Sequence, residues 1–273
     1  MSTRLDEKLA KLRAEGRTGL YIYVTAGCPS AEATVDIVRR AEEAGADVIE
    51  LGLPFSDPMA DGPVIQEASV IALRNGMTMT KALEVVKEIR KYSEIPLIGM
   101  GYINMVHHYG FEKFVTDFKA AGMDGVIFPD VPHEESADMR RICADEESDD
   151  MRRICAAHDF TLTEFITPGT TEERMEETCK DARGFIYCIS NYGVTGVKEI
   201  DYSIIGSVCK AARRYTDVPL AIGFGIGTPE AAARAGKQAD GVIVGSAVVK
   251  QIIEGNIDGG IQLIADMRKA LDA

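Results

Sequence analysis

Residues 47–63 read DVIELGLPFSDPMADGP and place two carboxylates, Glu50 and Asp61, at the two ends of one short loop. Val48 to Leu53 reads as a buried parallel strand, because it is apolar on both faces and carries a single charge, Glu50. A period of two puts Glu50 on the side of Val48 and Gly52, opposite Ile49 and Leu51. A carboxylate in such a strand is desolvated, which favours its protonated form and raises its pKa towards the range useful to a general acid or base. Pro54, Pro58 and Pro63 hold off helix formation until Asp61 has passed, and a helical pattern begins at Val64. Two readings stay open here. Either both acids converge on one ligand, or Glu50 is a paired structural charge and Asp61 a helix N-cap.

Working outward, the same alternation of strand and helix recurs along the chain. An amphipathic N-terminal helix precedes GLYIYVT (19–25), and a helix capped by Ser30 leads to the Glu50 strand. Further strands are PLIGMGY (96–102), GVIFPD (125–130), FTLTEFIT (160–167), GFIYCIS (184–190), PLAIGFG (219–225) and GVIVGS (241–246), separated by helical patterns at 64–75, 79–91, about 108–121, 134–157, 171–182, 202–215 and 229–236. Eight such units in 273 residues predict one domain spanning 1–273, an α/β TIM (β/α)8 barrel with an extra N-terminal helix and extra helices. A doubly wound open sheet is the alternative, since strand count does not fix closure.

Composition narrows the partners. With 43 acids against 30 bases the net charge is −13, which disfavours non-specific binding to nucleic acid or an anionic membrane. The six cysteines form no CxxC or metal spacing, the start of the chain is unlike a signal peptide, and no segment has the length of a membrane span; a cytoplasmic location is expected. The four histidines lack ligand spacing and no metal is expected. No strand segment carries a lysine for a Schiff base, and no Rossmann fingerprint or nucleophile motif is present.

Barrel chemistry sits at the C-terminal ends of the strands, with phosphate commonly held after the last two. GFGIG (223–227) and Gly245-Ser246 stand there, each at the start of a helix, and Gly193-Val194-Thr195-Gly196 follows the sixth strand. Glycines let backbone N–H groups approach an anion at a helix N-terminus. Singly, such glycines are ordinary strand-to-helix turns, and Ser246 could be a plain N-cap; three clusters in consecutive loops point to a phosphorylated small molecule. Tyr187, on the sixth strand, offers a pocket hydroxyl as a third candidate beside the two acids. Glu164 is read as structural.

ELGLPFSDPMADGPVIQ (50–66), GVTG (193–196), GFGIGTPE (223–230) and VGSAVVK (244–250) resemble the tryptophan synthase alpha subunit, and the order of units matches over nearly the whole chain. The resemblance implies retro-aldol cleavage of indole-3-glycerol phosphate to indole and glyceraldehyde 3-phosphate, with Glu50 and Asp61 as the catalytic carboxylates. Gly196, Gly225, Gly245 and Ser246 are the phosphate-binding candidates, and Tyr23, Phe224 and Thr195 the pocket candidates, although Tyr23 and Phe224 could equally be core packing. No cofactor is implied in this chain; pyridoxal phosphate belongs to a beta subunit, the expected partner in an α2β2 assembly. A stand-alone indole-releasing lyase and an idle allosteric subunit are the alternatives. Asn191-Tyr192 stand where the family usually has an arginine and a small residue. The loop from Pro54 to Met59, with Phe55 read as exposed, is the segment expected to order against the partner.

One feature is foreign to the family pattern. EESADMRRICAD (134–145) is followed at once by EESDDMRRICAA (146–157), a tandem copy that differs at two positions. Twelve added helical residues would turn the apolar face by roughly 120°, so one continuous helix cannot pack both copies, and the excess is expected to emerge away from Glu50 and Asp61. Deletion of 146–157 is therefore expected to leave indole release within about tenfold of the parent, a barrier change below roughly 1.4 kcal/mol. A folded deletion variant with most of its activity gone would show that the segment reaches the site.

Overall fold

In the computed structural model, residues 3–131, 133, 151–190 and 201–273 are described. The apolar runs form β1 (Gly19–Thr25), β2 (Val48–Gly52), β3 (Leu97–Met100), β4 (Gly125–Ile127), β5 (Thr161–Leu162), β6 (Glu164–Ile166), β7 (Ile186–Ile189), β8 (Leu220–Gly223) and β9 (Gly241–Val244). The sheet is parallel in the order β5-β4-β3-β2-β1-β9-β8-β7-β6. The predicted fifth strand is divided at Thr163: β5 pairs with β4 and β6 pairs with β7. The two ends of the sheet thus meet within one stretch of chain and close a barrel of eight staves. Closure excludes the open doubly wound sheet.

The helices are α1 (Arg4–Glu15), α2 (Ala31–Glu43), α3 (Pro63–Arg74), α4 (Met79–Ile89), α5 (Ile103–Tyr109), α6 (Phe111–Ala121), α7 (Met151–Ala157), α8 (Glu172–Asp181), α9 (Tyr202–Ala212), α10 (Pro229–Gly236), α11 (Ser246–Ile253) and α12 (Ile257–Leu271). Ser30 caps α2 as predicted, its Oγ accepting the Ala33 N–H at 3.1 Å. The helix predicted near 108–121 is instead two, because Gly110 takes a φ of 90° between α5 and α6. The second copy of the tandem repeat supplies α7, burying Met151, Ile154 and Cys155 in the core. The first copy and the junction, and with them the expected exit of the excess, lie outside the described residues.

Alternation along each strand builds two cores. Outward residues such as Ile49 and Leu51 pack against the helices. Inward residues, including Tyr21, Val48, Ile98, Phe185 and Ile243, fill the barrel. Leu5 and Leu9 of α1 join this interior cluster, so the extra N-terminal helix plugs the barrel's bottom. Glu50 therefore faces inward, on the side of Val48, as its period required.

The bottom rim is tied by a recurring device. Asp47, Asp124 and Asp240 each precede a strand and accept an N–H at the start of a neighbouring one, from Leu20 at 3.0 Å, Leu97 at 2.9 Å and Leu220 at 2.7 Å. Each also pairs with an arginine: Arg268 at 3.2 Å, Arg90 at 2.9 Å, and Arg213. Asp124 is the most deeply set, and Arg4 of α1 reaches it as well, at 3.0 Å. Removing one member of a buried ion pair strands the other, at a cost of about 3 kcal/mol or more. Asp124→Ala is accordingly expected to lower Tm by roughly 10 °C. Asp217→Ala, which removes an exposed partner of Arg13, should shift it by no more than about 2 °C in the same calorimetric measurement.

Candidate active site

Glu50 sits on β2 between β1 and β3, in register with Tyr23 and Ile98. It is almost wholly buried, and its Oε1 has no hydrogen-bond partner among the described residues. The reading of Glu50 as a paired structural charge therefore fails. With nothing to compensate lost hydration, burial pushes its pKa up to about 8. Ionising it in place costs roughly 5 kcal/mol more than in water. The Tyr23 ring crosses over Gly52, where a Cβ would lie 2.0 Å from the Tyr23 hydroxyl. Gly52 thus lets an aromatic side chain lie beside Glu50.

Asp61 is not a helix cap. Gly62 holds the N-cap position of α3 without a side-chain bond, and Pro63 begins the helix. Asp61 is only 8% exposed, and burial raises its pKa to about 6 against the lowering effect of a hydrogen bond from Tyr102. The Tyr102 hydroxyl also accepts the Ala60 N–H at 3.1 Å. Its ring stacks on Phe55 with centroids 5.3 Å apart. Phe55 is consequently half-buried rather than exposed, while Met59 stands 88% exposed in the same loop.

Both acids line one cavity of about 290 Å³ at the C-terminal mouth of the barrel. Its apolar walls include Ile65, Met100, Ile243 and Phe224, with Tyr23 and Tyr187 contributing rings that end in hydroxyls. Burial holds the Tyr23 and Tyr187 phenols well above their ordinary pKa, so both stay protonated. Tyr187 packs between Phe165 and Phe224, with centroids 5.4 and 6.1 Å away.

The same cavity is lined by Gly225, Gly227, Gly245 and Ser246. Phe224 and Gly225 take φ values of 74° and 73°, a left-handed turn that is uncommon for phenylalanine. Its carbonyls are tied back: the buried Ser190 hydroxyl lies 2.9 Å from Gly223 O and 3.0 Å from Phe224 O, and Tyr202 donates to Gly225 O at 3.2 Å. A trans peptide points N–H and C=O in opposite directions, so the next N–H groups turn away from these anchors. Gly245 is the N-cap of α11 and Ser246 its first residue, which leaves the helix's leading N–H groups at the cavity wall. Ser246 is therefore no N-cap.

The structure thus brings together Tyr23, Glu50, Asp61, Tyr187, Phe224, Gly225, Gly245 and Ser246. Thr195 and Gly196, with Asn191-Tyr192, lie outside the described residues. Glu164 faces outward from β6 and meets His133 Nδ1 at 3.0 Å, apart from the cavity lining. Among the described residues no group of three or more His, Cys, Asp or Glu is placed to hold a metal ion. Sequence reasoning missed Tyr102 and Lys250. Tyr102 was legible as the inward continuation of Ile98 and Met100 past the end of β3.

A closed parallel barrel whose cavity gathers two desolvated carboxylates together with the glycine-rich ends of two late strands belongs to a class of fold and site suited to acid–base chemistry on a small molecule. The profile of the tryptophan synthase alpha chain family matches residues 9–271. A tryptophan synthase alpha chain from Thermoanaerobacter sp. (strain X514) is 42% identical over 252 residues, covering 92% of this chain and 91% of the relative. The crystal structure of tryptophan synthase subunit alpha from Legionella pneumophila str. Paris superposes with a TM-score of 0.88 at 35% identity, covering 100% of this chain and 99% of that one. A Mycobacterium tuberculosis tryptophan synthase structure gives 0.88 at 30% identity, covering 100% of both chains. The chain belongs to the tryptophan synthase alpha chain family.

The hydrogen bond from Tyr102 opposes the effect of burial on Asp61. Tyr102→Phe should therefore raise the Asp61 titration midpoint from about 6 by roughly one pH unit, followed by NMR of carboxyl-labelled aspartate. An unmoved midpoint would deny the hydroxyl this role.

Proposed function

We propose that Glu50 carries the proton in the family's reaction and that Asp61 stabilises the charge it creates. As a family member the protein is a carbon–carbon lyase of tryptophan biosynthesis that cleaves indole-3-glycerol phosphate. An idle subunit is not favoured. The observation that carries the residue assignment is the inward, buried Glu50 carboxyl, whose Oε1 has no partner among the described residues and which with a pKa of about 8 is protonated at neutral pH.

From that state the bookkeeping closes. Glu50 gives its proton to ring carbon 3, and positive charge develops at the ring nitrogen, whose N–H faces the Asp61 carboxylate. With a pKa of about 6 Asp61 is mostly ionised at neutral pH, so it offers fixed negative charge there. Glu50, now ionised in an apolar wall, takes the proton of the adjacent glycerol hydroxyl. The carbon–carbon bond breaks, its electron pair restores the aromatic ring, and the former carbinol becomes the aldehyde of glyceraldehyde 3-phosphate. Glu50 ends protonated as it began. The apolar walls and the Tyr23 and Tyr187 rings hold the indole and exclude water, which sharpens every charge interaction in the cavity.

The phosphate belongs at Gly225, Gly245 and Ser246, and the family resemblance assigns Gly196 to the same role and Thr195 to the substrate pocket. This chemistry draws on no cofactor from this chain, and pyridoxal phosphate is assigned to the beta subunit, the partner in an α2β2 assembly. Support for that partner comes from family membership, and the exposed Met59 beside the Phe55–Tyr102 stack gives it an apolar contact close to Asp61. A cytoplasmic location fits the pathway; no helix among the described residues is long and apolar enough to cross a membrane.

Glu50→Gln keeps the shape and removes the proton. It is expected to bind glycerol 3-phosphate and substrate as the parent does while indole release falls by at least about a thousandfold. Asp61→Asn should lose turnover severely because an amide stabilises positive charge poorly. A Glu50→Gln enzyme with turnover close to the parent's would end this assignment.

A further inference from the structure

The geometry points to Lys250 as a direct ligand of the substrate phosphate, with Glu254 as a competing partner for its ammonium. This rests on the phosphate reading of the Gly225 and Gly245-Ser246 loops and extends it to a side chain. Lys250 lines the same cavity as those loops, and among its described lining residues the acids and bases are Glu50, Asp61 and Lys250, the last being the one cation. A phosphate monoester brings a charge near −2 into a chain whose own balance is −13. One cation at the mouth then has large leverage.

Lys250 lies one turn after Ser246 on α11, so the two share a face. Side chains on a helix lean towards its N-terminus, which is the end where Ser246 meets the cavity. The ammonium is at present 3.9 Å from Glu254 Oε1, with the two side chains 62% and 53% exposed. Such an exposed i,i+4 pair is a weak restraint. A dianion seated on the α11 N-terminus adds charge-assisted hydrogen bonding that the Glu254 contact lacks. Lys250 therefore passes from Glu254 to the phosphate on binding, and Glu254 acts as an internal competitor that weakens capture.

The test uses the full chain and glycerol 3-phosphate as probe, with calorimetric Kd and steady-state kinetics for Lys250→Met, Lys250→Arg, Glu254→Gln and the double variant Lys250→Met/Glu254→Gln. Lys250→Met should weaken glycerol 3-phosphate roughly tenfold, with the loss in KM rather than kcat and a shallower dependence on salt. Lys250→Arg should recover most of the affinity. Glu254→Gln should tighten binding about two- to threefold in the parent and do nothing in the Lys250→Met background. If Lys250→Met leaves Kd unchanged while Gly245→Val abolishes binding, the phosphate site stands and this role for Lys250 is wrong. If neither substitution alters Kd, the phosphate site itself is misplaced and the inference falls with it.

Discussion

The desolvation of one carboxyl group is the constraint on which the active end of this barrel depends. Glu50 occupies a strand position whose neighbours above, below and across are apolar or aromatic, and its Oε1 meets no donor among the described residues. A surface glutamate would be ionised at neutral pH and useless as an acid. Here burial reverses that preference, and the proposed role of Glu50 as proton carrier rests on the fold tolerating that cost. The α1 plug and the three Asp–Arg clamps lie at the opposite end of the barrel, where they secure the closed cylinder without touching the chemistry.

Two identical functional groups acquire different duties from their surroundings. Both are pushed upward by burial, but Asp61 receives a hydrogen bond from Tyr102 that favours its charged form, whereas Glu50 Oε1 receives none from the described residues. Their pKa values of about 8 and about 6 straddle neutrality, so one is an acid and the other an anion at the same pH. The loop carrying Asp61 is also the loop whose Phe55 stacks on Tyr102. Any contact that moves Phe55 therefore reaches the group that sets the charge state of Asp61.

Much of this was legible before any coordinates. A lone acid in an apolar strand fixes its own facing through the period of two, and glycine clusters at the ends of late strands mark where backbone can meet an anion. Barrel closure was legible only as a count of units. The division at Thr163 was hidden, because two short pairings and one continuous strand share the same apolar pattern. The burial of Asp61 was not legible, because the residues that bury it come from elsewhere in the chain, among them Tyr102, whose hydroxyl bonds both Asp61 and the Ala60 N–H. Lys250 was quoted within VGSAVVK without a role, since a helical lysine gives no sign of which way it leans until the helix is docked.

The central claim is that Glu50 is protonated in the resting enzyme at neutral pH because the barrel wall desolvates it. The difference infrared spectrum of parent minus Glu50→Gln, followed from pH 5 to pH 10, isolates the carboxyl C=O band of this single residue. The account predicts a protonated band at pH 7 that disappears with a midpoint near 8. A carboxylate already ionised at pH 7, with a midpoint near the ordinary value of about 4.3, would contradict it.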